Sequence, residues 1–135
     1  MLLPCAAACG GSARSSTTGC DDIETRLVQA AAVQNESGSI IDFSNHTDLL
    51  ERARMLRVDT SRALDAVARA RVEADLDADR AGILDTLRAI ESRSRRILSA
   101  VHPTYANDFA AAQAIDEASR TLARLEARLF RTCDV

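Results

Sequence analysis

From Asp48 to Val101 the chain runs about 54 residues, at ~1.5 Å per residue in a helix, with no proline and one glycine, Gly82. Apolar or small side chains fall at Leu49, Ala53, Leu56, Thr60, Ala63, Val67, Ala70 and Ala74. Those steps alternate four and three, the heptad period that turns one side of a helix toward another helix. A second set follows at Leu76, Arg80, Ile83, Leu87, Ile90, Ser94, Ile97 and Val101, with the same alternation but displaced in phase after Ala74. A displaced phase marks a local change of winding or a helix break. "EADLDADRAG" stands at the displacement, with Asp77 and Asp79 able to cap a new helix and Gly82 costing about 1 kcal/mol in a helix interior. No turn dipeptide accompanies them. The pattern therefore predicts one long, bent helix in preference to two helices near 49–75 and 79–101.

Pro103 ends that element, because the residue before a proline is pushed out of the α region. "VHPTYAND" reads as a turn, with Asn107 or Asp108 capping a last helix that carries Ala111, Ile115, Ala118, Leu122, Leu125 and Leu129 on one side as far as about Arg131. A short loop sets consecutive helices antiparallel. Upstream, "DDIETRLVQAAAVQ" predicts a short helix, acidic at its start as the macrodipole favours, and "NESGS" at Asn35–Ser39 breaks it. "IIDF" is an apolar link, and "SNHTD" supplies candidate N-caps for the long helix.

The expected fold class is thus all-α: an elongated antiparallel helical hairpin or coiled coil with a short extra N-terminal helix. Residues 1–19, rich in Ser, Thr, Gly and Cys, read as a disordered leader, and residues 20–135 as a single helical domain. The leader has no positively charged start and is not read as a secretory signal. No apolar run approaches the ~20 residues of a membrane span, and a cytoplasmic setting is the default expectation.

Of the residues, 47% are apolar, but much of that is alanine, and aromatics are only 3%. A last helix of about 24 residues covers only half of a long partner at ~1.5 Å per residue. The other half keeps an alanine-rich side in want of a helix from another chain, which alanine allows to approach closely. The expected helix-partner interface is Leu49, Leu56, Val67, Leu76, Ile83, Leu87, Ile90, Ile97 and Val101, continued by Ile115, Leu122, Leu125 and Leu129. Arg80, a charged residue within that line, is a candidate for setting partner choice.

All 17 basic residues are arginine and the net charge is −3, so a general nucleic-acid or anionic-membrane binder is not expected. The basic patch Arg93, Arg95 and Arg96 lacks interleaved aromatics for base stacking. Glu73, Asp75, Asp77 and Asp79 diverge around a helix rather than converge on a cation. Cys5, Cys9, Cys20 and Cys133 fit no zinc spacing and read as free thiols in tails, and His46 and His102 sit at element boundaries. No catalytic residue, metal ligand, cofactor or small-molecule substrate is expected. The function these features imply is a non-enzymatic coiled-coil interaction subunit, a scaffold, tether or trafficking adaptor assembling with other helical chains as a homo- or hetero-oligomer. A small acidic helical chaperone for a secreted or unstable client is the alternative.

Overall fold

The computed structural model describes residues 18–133. They form four helices: α1 (Thr18–Ser39), α2 (His46–Ala68), α3 (Ala74–Leu98) and α4 (Tyr105–Cys133), with a 3-10 turn at Ile40–Asp42 between α1 and α2. Each helix packs on its sequence neighbour, and α1 also packs on α4. Short connections between antiparallel neighbours, closed by the first helix meeting the last, make an up-and-down four-helix bundle.

The fold is all-α, but the long helix is a correction. The chain breaks between Ala68 and Ala74 without proline or glycine. Tertiary hydrogen bonds replace turn residues there. The Arg71 amide donates to Asp22 Oδ2 of α1 at 2.7 Å, and Arg80 Nη1 donates to the Ala70 carbonyl at 2.8 Å. Arg69 and Ala70 amides close the end of α2 on Asp65 and Val67 carbonyls. α3 and α4 pack on each other on either side of the connection that holds Pro103. Helix α4 is capped by Thr104, whose Oγ1 accepts from the Asn107 amide at 3.1 Å, rather than by Asn107 or Asp108.

The first helix is the second correction. It begins at Thr18, inside the expected leader, and continues through Asn35–Ser39. Packing overrides the local breaker: Ser37 is wholly buried, and Ser119 Oγ of α4 donates to the Gln34 carbonyl at 3.1 Å. With 22 residues against the 23 of α2, α1 is long enough to cover the side expected to need a second chain. Cys20, Ile23, Leu27, Ala30, Val33 and Ile40 of α1 join Leu49, Ala53, Leu56, Ala63, Val67 and Ala70 in one core. Small residues such as Ala30, Ala53 and Ala63 let these helices approach closely.

The free-thiol expectation is overturned at two of the four cysteines. Cys20 at the start of α1 and Cys133 at the end of α4 form a disulfide across 113 residues of sequence, with Cα atoms 5.7 Å apart. Cys5, Cys9 and the rest of residues 1–17 lie outside the described residues.

At the other end of the bundle, Asn45 caps α2 by accepting from the Asp48 amide at 2.9 Å, while Asp48 Oδ2 accepts from the Ser44 amide at 2.8 Å. The Ser44 amide, helped by Arg52, holds the Asp48 carboxyl below its usual range.

Candidate functional site

Packing the α2 and α3 lines inward leaves the residues one step past them to form a groove on the outside. Leu64, Ala68, Leu84, Arg88 and Glu91 each follow a buried residue, and with Ser61, Arg62 and Asp65 they line a cavity of ≈560 Å³ between the two helices. It continues into a second hollow of ≈290 Å³ lined by Arg57, Val58, Ser61, Arg62, Glu91 and Arg95. The floor is half-buried leucine and the rim is guanidinium. Val58 and the neighbouring Met55 are among the exposed large apolar residues, at 46% and 60%.

Three of the rim arginines pair with an acid three or four residues away on their own helix. Arg62 lies 3.7 Å from Asp59, Arg95 3.8 Å from Glu91 and Arg88 3.1 Å from Asp85. Exposed pairs of this kind contribute on the order of 0–1 kcal/mol. In the lining Arg57, Arg62, Arg88 and Arg95 outnumber Asp65 and Glu91, while Asp59 and Asp85 stand just outside it as the partners of Arg62 and Arg88.

Other polar groups stand outside the groove lining. At the end of the bundle holding the α1–α2 and α3–α4 connections, His46 Nδ1 sits 2.8 Å from Oδ2 of the buried Asp108. Tyr105 lies beside them, its ring 5.8 Å from Phe43 and 6.1 Å from Phe109, and is 73% exposed. Inside the bundle, Glu126 is buried on α4 with Oε2 lacking a partner, and burial pushes its carboxyl up to about 7. Glu36 of α1 is likewise raised to about 7, by burial first and then by its hydrogen bond and charge contact with Asp59 of α2. Among the described residues no three His, Cys, Asp or Glu side chains converge as a metal-binding group. No described helix is long and apolar enough to cross a membrane.

Of the residues expected to meet a partner helix, Leu49, Leu56, Val67, Leu76, Ile83, Leu87, Ile90, Ile97, Ile115, Leu122 and Leu129 are buried against this chain's own helices. Val101 is 80% exposed, beyond the end of α3, and Leu125 is half-buried. Leu125 packs on α3 where Gly82 leaves room, its Cδ atoms 3.4 Å from where a Cβ would stand. The second buried line of α4 is Ala112, Ser119, Glu126 and Cys133, one residue past the expected Ala111, Ala118 and Leu125.

Arg80 is tied within the chain, through Nη1 to the Ala70 carbonyl and Nη2 to Asp77 at 2.9 Å, so it braces the α2–α3 turn. The basic run divides. Arg95 lines the groove, whereas Arg93 and Arg96 are exposed and do not. The acidic cluster also divides, with Asp77 on Arg80 and the buried Asp79 on Arg128 Nε at 2.8 Å. Sequence reading missed Arg57, Arg62, Leu64, Leu84 and Arg88. Their signal is their position one or two residues after the heptad line, visible once the helix is broken in two. The chain matches no protein-family model, no curated protein and no solved structure.

Proposed function

We propose that this protein is a non-enzymatic interaction subunit, a scaffold, tether or adaptor, that engages another α-helical chain along the outer α2–α3 groove. The observation that carries the reading is that groove: a leucine floor with an arginine rim, left open by a bundle whose own core is filled. The heptad lines serve coiled-coil-like packing within the chain, and the partner surface is the set of positions beside them. A helix laid into a groove between two helices buries its apolar face without any rearrangement of the receiving bundle. Cys20–Cys133 supports an oxidising compartment in preference to the cytoplasmic setting expected from the sequence, because thiol-reducing compartments rarely keep such bonds.

Site-specific photo-cross-linking in the native host tests this. A photoreactive residue in place of Arg88, at the rim, is compared with one in place of the exposed Glu117 of α4. The expected result is a discrete protein adduct from the rim position alone. Adducts absent at the rim, or equal at both positions, overturn the proposal.

A further inference from the structure

We infer that the occupant of the α2–α3 groove is a short amphipathic helix whose apolar face is flanked by acidic residues. The inference rests on reading the groove as the partner site, and adds the chemistry of what fills it. The two walls run antiparallel over matched lengths, Arg57 to Ala68 and Leu84 to Arg95. At ~1.5 Å per residue each spans about 16 Å, three helical turns. That length suits an incoming helix presenting an apolar line at i, i+3 and i+4 spacing.

Leu64 and Leu84 on the floor match such a line. The rim selects its flanks. Arg57 makes no ion pair among the described residues, and the side chains of Arg62, Arg88 and Arg95 are 70%, 59% and 63% exposed in long or solvent-facing pairs. Those guanidinium groups can exchange their present carboxylates for a partner's at little cost, and Arg suits bidentate carboxylate contact. Arg88 and Arg95 stand seven residues apart on one wall, so two turns of α3 separate them. Carboxylates seven residues apart on the incoming helix meet both. A nucleic acid would offer phosphates to the same arginines but leave the leucine floor uncovered, and no aromatic lines the groove for base stacking.

The test uses the full, oxidised chain and a displayed library of helical peptides of about 15 residues, with a fixed leucine line and randomised flanks. The expected result is enrichment of Asp and Glu in the flanks, with binding weakened about tenfold or more as salt screens the contacts. Against the charge-reversed R88E/R95E protein, which changes only exposed residues, the preference inverts to basic flanks. Leu84→Asn weakens all selected peptides regardless of flank charge. Enriched peptides with neutral or basic flanks that still depend on Leu84 overturn the acidic inference and leave the groove as the partner site. No enrichment above background overturns both. A single-stranded oligonucleotide that binds tighter than every selected peptide overturns the inference in favour of phosphate.

Discussion

Breaking the Cys20–Cys133 bond tests how the bundle is closed. The bond joins the first turn of α1 to the last turn of α4, so it encloses nearly the whole described chain, 113 residues apart in sequence. In the chain-entropy description, removing a link across a loop of that length frees the unfolded state by about 5 kcal/mol, an upper figure. Measured losses for native disulfides run roughly 2–5 kcal/mol. Both half-cystines are buried, at 4% and 8% exposure, so a small packing change comes with the substitution. The expected loss for Cys133→Ser is therefore about 2–4 kcal/mol, or roughly 10 °C in melting temperature for a domain of this size. The assay is urea unfolding by circular dichroism of wild type, Cys20→Ser, Cys133→Ser and the double variant, with wild type repeated under reductant. All four altered states should lose a similar amount, because one bond is lost once. Single variants within about 0.5 kcal/mol of wild type, or a double variant that loses twice what each single loses, refute the closure.

Three further outcomes follow from buried groups. Glu126 has a folded-state pKa of about 7 against an ordinary 4.5, so the unfolded chain ionises first and stability falls as pH rises between those values. The loss is on the order of 3 kcal/mol at most, and Glu36, also raised to about 7, adds a fall over the same range. Glu126→Gln should remove the Glu126 share and leave that of Glu36 in unfolding at pH 4.5 to 8, and an unchanged slope contradicts the burial of Glu126. Leu87→Asp puts a carboxylate at a wholly buried α3 position and should unfold the domain or cost more than about 4 kcal/mol, read as lost helicity and a lowered melting temperature. His46→Ala leaves the buried Asp108 without its ring partner and should cost about 1–3 kcal/mol, while a neutral effect means water replaces the imidazole at no cost.

The four-three spacing made the helices and most core positions legible. Leu49 to Ala70 and Leu76 to Ile97 are buried where the pattern puts them, apart from Arg80, which is half-buried. The break between the two sets was visible as a phase shift, but its cause was not. Asp22 reaches Arg71 across 49 residues and Arg80 reaches Ala70 from the next helix, and no local propensity encodes those bonds. The same holds for α1, where Asn35–Ser39 stays helical because α4 packs on it, and for Cys20 with Cys133, whose separation hides their pairing. Reading that break as a bend hid the groove. With a single long helix, Leu64, Leu84 and the rim arginines look like flanking residues of a half-covered rod. With two antiparallel helices they face each other across a groove.

In this fold one chain fills its own core, which leaves the outer face of the bundle as the surface proposed for a partner. The most direct measurement is thermal unfolding of the oxidised full chain across a hundredfold range of dilute protein concentration, since a core completed by a second chain makes the midpoint depend on concentration. A bundle closed within one chain gives a single cooperative transition whose midpoint does not move. A midpoint that climbs steadily with concentration would show that the heptad lines are buried between chains, and the bundle described above would be wrong.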